Sequence, residues 1–207
     1  MDDIPQQQGL YDPRYEHDAC GVGFVCNIRG ERSNAIVRQG LKALSRLSHR
    51  GATGSDPKTG DGAGILIQIP HEFLTEVCQD GGIDLPALGE YGTGLVFLPT
   101  DAQQRTFCKD IFSKIVEQEG QHLLGWRPVP VDDADIGKTA QRTRPVIEQI
   151  FIGKSGEIQS PLDFERKLYV IRKQVENAIC AAGYAFYITN LSSRTLGYKG
   201  LLTPGQV

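Results

Sequence analysis

Two spacings of apolar residues alternate along this chain, and together they predict alternating strands and helices. Residues 21–28 (GVGFVCNI) are apolar and β-prone, which predicts a buried strand. Ser33 follows as a candidate N-cap. Val37, Leu41, Leu44 and Leu47 then recur at three- and four-residue steps, with Arg38, Lys42 and Arg46 largely on the other side, so a helix is predicted. It should end near His49-Arg50-Gly51, where Gly51 can take a positive φ. Residues 51–64 hold five glycines and a proline and read as a loop.

Beyond that loop the pattern predicts a strand over 65–69, a short helix over 71–78 and a strand over 94–98 stopped by Pro99. A helix follows over 102–119, with Phe107, Ile111 and Ile115 on its apolar stripe and Gly120 past its end. Prolines reduce 123–131 to an edge strand at best. The polar stretch 132–144 reads as a mobile insertion. A strand is predicted over 146–152 and a long helix over 162–181 with Gly183 at its stop. Residues 184–189 and 195–202 read as a strand pair joined by Asn190-Leu191-Ser192-Ser193. Alternating elements suggest a parallel α/β sheet by default, although periodicity does not fix strand direction. Residues 1–19 show no periodicity and read as an extended arm. The last eight residues carry no closing helix or polar tail, so the chain reads as truncated there.

Composition narrows the function. A chain of 207 residues is one domain or part of a larger one. Its net charge of −3 comes from mixed charges, with no basic tract for nucleic acid. The apolar runs are strand-sized, which excludes a membrane-spanning segment, and the acidic, polar N-terminus is no export signal, so a cytoplasmic protein is expected. Five cysteines without CxxC spacing argue against a disulfide framework or zinc site and for a reducing compartment. The four scattered histidines form no metal-ligand pair, and no metal site is expected.

The chemistry centres on Cys20, which opens the run Cys20-Gly21-Val22-Gly23-Phe24. Cleavage after Ala19 would put a thiol and a free α-amine on one residue. The amine, with a reference pKa of roughly 8, can serve as base for a thiol of roughly 8.5. The alternative is a cysteine buried as a small hydrophobe. Cys26, in mid-strand, reads as packing. His49-Arg50-Gly51 is either a plain helix end or a cation and a backbone N–H beside the nucleophile, where a fixed charge favours thiolate. Residues 59–65 (TGDGAGI) precede a strand and lack a following Lys-Ser/Thr pair, so a tight turn with Asp61 anchoring the loop is favoured over a phosphate cradle. Ser192 and Ser193 read as turn chemistry, and Lys167, Arg172 and Lys173 as the solvated face of the long helix.

The ordered blocks 20–24, 47–52 (LSHRGA), 59–65, 164–173 (FERKLYVIRK) and 191–202 (LSSRTLGYKGLL) strongly resemble the N-terminal glutaminase domain of glutamate synthase large subunits, a class II glutamine amidotransferase domain. The Tyr11-Asp12-Pro13 start and the junction at Cys20 are similar to that family's prosegment. The resemblance implies an α+β fold, the four-layer αββα sandwich of N-terminal nucleophile hydrolases with largely antiparallel sheets, here incomplete at the C-terminus. It implies a prosegment over 1–19 and the first part of the amidotransferase domain over 20–207. It implies Cys20 as the nucleophile that hydrolyses L-glutamine through a thioester, with Arg50 and Gly51 lining the site. The oxyanion Asn-Gly pair and the Arg and Asp that grip substrate match nothing here and are expected beyond Val207, so the chain alone is expected to be nearly inactive. FMN and an iron–sulfur cluster are implied for downstream synthase domains of the same polypeptide and none for this chain, with a small electron-donor subunit as a further partner. The alternatives are another class II amidotransferase, whose cysteine usually lies near position 2, and a glutaminase-like domain that only binds partners.

Overall fold

The computed structural model describes residues 20–207; the extended arm and prosegment read over 1–19 lie outside the described residues. The elements are α1 (Asn34–Arg46), β1 (Ala63–Gln68), α2 (His71–Gln79), β2 (Tyr91–Leu98), α3 (Ala102–Gln118), β3 (His122–Pro128), α4 (Lys138–Thr143), β4 (Val146–Gly153), α5 (Pro161–Ala181), β5 (Tyr187–Ile188) and β6 (Thr195–Gly200). They build a four-stranded sheet in the order β3-β4-β2-β5 and a two-stranded sheet of β1 and β6. Every strand pairing is antiparallel, so the parallel default does not hold.

The alternation of β2 and β4 sets the layers. Val96, Leu98, Ile150 and Ile152 pack under Phe112, Ile115 and Val116 of α3 and Phe164, Leu168, Ile171 and Val175 of α5. On the opposite face Tyr91 and Phe151 join Ile69, Leu74 and Cys78 in a second core. Burial pushes the Tyr91 hydroxyl up to about 12, with Cys78 adding to the shift. The sheets meet where β2 approaches β6, and α1 packs on β1. Helices, sheet, sheet and helix therefore follow one another as αββα, the order the resemblance implies.

Most predicted elements form within a few residues of their expected bounds. Asp101 and Ser160 cap α3 and α5 through their side chains. Gly120 and Gly183 take positive φ just past the two helices. In α3 the predicted Ile115 is buried and Ile111 packs against the core, with Cys108 and Phe112 fully buried beside them, whereas Phe107 is 39% exposed and packs edge-on against Tyr184.

Three expectations fail. Residues 21–28 form no strand, because their backbone joins no ladder among the described residues. Val22, Phe24 and Ile28, at strand spacing, are 90%, 91% and 100% exposed, and Cys26 is exposed rather than packed. The segments 184–189 and 195–202 are not a hairpin: β5 pairs with β2, and β6 pairs with β1. The turn between them crosses from one sheet to the other, and Ser192 bridges to Thr93 on the way. Gly51 has φ −89°, ψ 156°, extended rather than left-handed, because α1 ends at Leu47 and a single 3-10 turn over Ser48–Arg50 follows.

The glycine-rich loop is held by close backbone contact. A Cβ on Gly60 would stand 2.3 Å from the Leu202 carbonyl oxygen, and one on Gly64 would stand 2.3 Å from the Lys199 Cβ. Gly62 takes φ +137°. Gly60 also bridges to Thr53, and Gly54 N–H donates to the Thr59 carbonyl. These glycines let two backbones approach, and the loop runs into a strand rather than a helix, so it lacks the form of a phosphate cradle.

Three outcomes test this description. Gly60→Ala should destabilise the domain by about 1–3 kcal/mol through overpacking, whereas Gly54→Ala, with open space around it, should be near neutral by chemical denaturation. Cys20, Cys26 and Cys180 are exposed and should react promptly with a thiol reagent; Cys78 and Cys108, buried and with thiols raised by burial, should react only after unfolding. Hydrogen bonds from Lys167 and Gln174 hold the Glu119 carboxyl below the usual carboxylate range, against an opposing burial effect. Its stabilisation is therefore present above the ordinary carboxylate pKa and lost as pH falls through the depressed one. Lys167→Met should cost about 0.5–1 kcal/mol at neutral pH, and the difference from wild type should close in acid.

Candidate active site

Cys20 is exposed at the start of the described chain, so the reading of a buried packing cysteine does not hold. The next residue fixes its surroundings. A Cβ on Gly21 would stand 3.2 Å from Arg50 Cβ, 3.3 Å from Arg50 Cγ and 3.3 Å from Leu47 Cδ2. The backbone after Cys20 thus lies directly on the Arg50 side chain and on the last apolar residue of the α1 stripe. Cys20 and Arg50, thirty positions apart, are brought to one place.

Arg50 is held by the turn that ends α1. Its N–H donates to the Leu47 carbonyl at 2.8 Å, and His49 Nδ1 lies 3.0 Å from the Arg46 carbonyl oxygen. Among the described residues Arg50 forms no ion pair. Gly51 sits beside it, but its N–H donates to the Ser48 carbonyl at 3.2 Å. That amide is engaged in the turn. Positions that surround Gly51 are more telling: Asp61 Oδ1 lies 3.5 Å and Pro204 Cδ 3.9 Å from where a Cβ would stand. Asp61 anchors the loop through its backbone, N–H to the Ala52 carbonyl at 3.0 Å, while among the described residues its carboxylate takes no hydrogen bond.

The strand that carries Leu202 and Pro204 to this place is set by a polar clasp at the sheet crossing. Glu165 on α5 accepts from Ser193 N–H and Oγ, both 2.6 Å, and from Ser192 Oγ at 3.0 Å. Asn190 Nδ2 donates to the Thr195 carbonyl at 2.8 Å, and its Oδ1 accepts from Gly197 N–H at 2.7 Å. Ser192 and Ser193 are therefore turn residues, as their sequence suggests. Lys167 is more than a solvated side chain, since it bridges α5 to Glu119 at the end of α3. Arg172 and Lys173 both pair with Glu176, one turn on. Burial tends to raise the Glu176 carboxyl, and the hydrogen bonds from Lys173 and Arg172 outweigh it and hold the group low.

Sequence reasoning passed over Thr203, Pro204 and Gln206, although they carry a legible signal. Thr203-Pro204-Gly205-Gln206 is a capping box with proline at the first helical position, and it forms a 3-10 turn. Two surface grooves, of about 560 Å³ beside Arg172 and Tyr184 and about 280 Å³ beside Arg32 and Arg194, include neither Cys20 nor Arg50. Among the described residues no group of three or more His, Cys, Asp or Glu could hold a metal ion. No helix among them is long and apolar enough to cross a membrane.

The sequence of the chain matches known proteins. Residues 20–207 match the family model described as class-II glutamine amidotransferases. The chain is 50% identical over 204 residues to the glutamate synthase [NADPH] large chain of Bacillus subtilis, covering 99% of this chain and 13% of that protein. It is 40% identical to the glutamate synthase [NADH] of Schizosaccharomyces pombe, over 99% of this chain and 10% of the relative. With the chloroplastic ferredoxin-dependent glutamate synthase 2 of Arabidopsis thaliana it shares 38% identity, over 96% of this chain and 12% of the relative. The chain thus spans roughly a tenth of the length of these relatives, and by its match from Cys20 to Val207 it belongs to the class-II glutamine amidotransferase family.

Proposed function

We propose that this chain is the glutaminase part of a glutamate synthase, with Cys20 as its nucleophile. The observation that carries the reading is the position of Cys20: exposed, the first residue of the family match, and followed by a glycine packed on Arg50. In this reading residues 1–19 are a prosegment whose removal frees the Cys20 α-amine. That amine accepts the thiol proton as sulfur attacks the side-chain amide carbon of L-glutamine. The proton then passes to the departing nitrogen, and ammonia leaves a γ-glutamyl thioester. Water cleaves the thioester, releasing L-glutamate and returning the thiol.

Arg50 and Gly51 line the site in this reading. The Arg50 side chain lies against the backbone that follows Cys20 and brings its positive charge to this end of the molecule. Gly51 follows Arg50, with Asp61 and Pro204 within ordinary contact distance of where a Cβ would stand. The ammonia would go to the reductive amination of 2-oxoglutarate in other domains of a longer cytoplasmic polypeptide. FMN and an iron–sulfur cluster belong to those domains, and no step of glutamine hydrolysis runs through either. The chain contains no Asn-Gly pair. Without such an oxyanion donor, whose loss costs about 10²–10³ in rate, the 207-residue chain alone should turn over little glutamine.

The test is made in the complete polypeptide. Cys20→Ser and Cys20→Ala should abolish ammonia release from glutamine, and intact-mass analysis of the parent should find a chain beginning at Cys20. Full turnover in either variant would overturn the assignment.

A further inference from the structure

We infer that Gln206 is a positioning residue for the candidate site, a role that rests on the glutaminase reading above. Its side-chain amide is engaged at both ends. Oε1 accepts from the Thr203 N–H at 2.8 Å, while Nε2 donates to the carbonyl oxygens of Lys58, at 3.1 Å, and Asp135, at 2.5 Å. The Thr203 side chain accepts in return from the Gln206 N–H. One side chain thus joins three segments that lie far apart in sequence: the glycine-rich loop, the 132–144 insertion and the turn after β6.

That turn is in contact with the site from two sides. Pro204 Cδ faces Gly51, and the Thr203 nitrogen stands 2.7 Å from where a Cβ on Gly60 would be. Holding the turn therefore sets both ends of the loop that leaves Arg50. A second link spans the same gap, the Lys58–Asp135 ion pair at 2.5 Å. Its side chains are 58% and 76% exposed, and such a pair contributes little. The amide instead bonds backbone carbonyls, which no substitution at Lys58 or Asp135 removes. Asp132 to Arg144 is further ordered by α4 and by the pairing of Arg144 with Asp133. The insertion is therefore a support that Gln206 couples to the site, not a bystander loop.

The experiment compares Gln206→Leu, Gln206→Glu and the double variant Lys58→Ala/Asp135→Ala in the full-length polypeptide. Gln206→Leu loses every side-chain bond. Gln206→Glu keeps the acceptor for Thr203 and loses the donor to the two carbonyls. Glutaminase kcat/KM should fall about tenfold in Gln206→Leu and by less in Gln206→Glu, with the double variant within about twofold of the parent. The rate of Cys20 alkylation by iodoacetamide should shift in the same order while Tm stays within a few degrees. Unchanged kcat/KM and alkylation in Gln206→Leu would overturn the inference. So would wild-type values in a well-folded Gln206→Glu when Gln206→Leu fails to fold. A parent that hydrolyses no glutamine would sink the glutaminase reading instead, and the alkylation rates would still decide the role of Gln206.

Discussion

The backbone of Gly60 lies against the carbonyl of Leu202 at a distance no side chain tolerates, and the arrangement of the site depends on that approach. It brings the loop that leaves Arg50 onto the far end of β6. The same strand is registered at its near end by Asn190 and by the Glu165 clasp on Ser192 and Ser193. β1, which begins where the glycine loop ends, then pairs with β6 along its whole length. Loop, sheet and long helix are thereby one mechanical unit. The Arg50 turn hangs from it at one end and α5 supports it at the other.

The energetics divide along the same line. The helix-covered side of the four-stranded sheet holds most of the fully buried large side chains, including Phe112, Phe164 and Leu168. Gly92 belongs to that packing: a Cβ there would meet Leu168 at 2.4 Å, so α5 comes as close to β2 as a bare backbone permits. In contrast, α1 has no fully buried residue although its stripe faces β1. The side of the molecule that carries Cys20 and Arg50 is thus the less densely buried one. Stability therefore resides mainly in the helix-covered half.

What could be read from the sequence follows from which forces are local. Helices α3 and α5 were legible because a helix-length run and a glycine just past its end agree within each segment. The approach of Arg50 to the backbone after Cys20 was one of two open readings of His49-Arg50-Gly51 until the resemblance chose between them, since nothing in the local pattern brings positions thirty apart together. Strand partners were not legible. Tyr187 and Ile188 are β-prone, as is 195–200, but a crossing turn sends them to different sheets through hydrogen bonds to Glu165 on a distant helix. In α3 tertiary packing buries Cys108 rather than Phe107, while Ile115 is buried as expected. Gly51 was expected to allow a left-handed turn, but its φ is ordinary, because a 3-10 turn separates it from the end of α1.

The uncovered side chains of Val22, Phe24 and Ile28 bear on how the sulfur is held. They belong to the same short run that begins at Cys20, and each presents nearly its whole surface to water. Any surface that shelters them gains the transfer of three large apolar groups out of water, about 1.5–3 kcal/mol for each. That gain is available to offset the loss of backbone freedom in the run, about 1–2 kcal/mol per residue. Sheltering the row would consequently immobilise Cys20 as well, so covering these side chains and ordering its thiol are thermodynamically linked through a single stretch of chain.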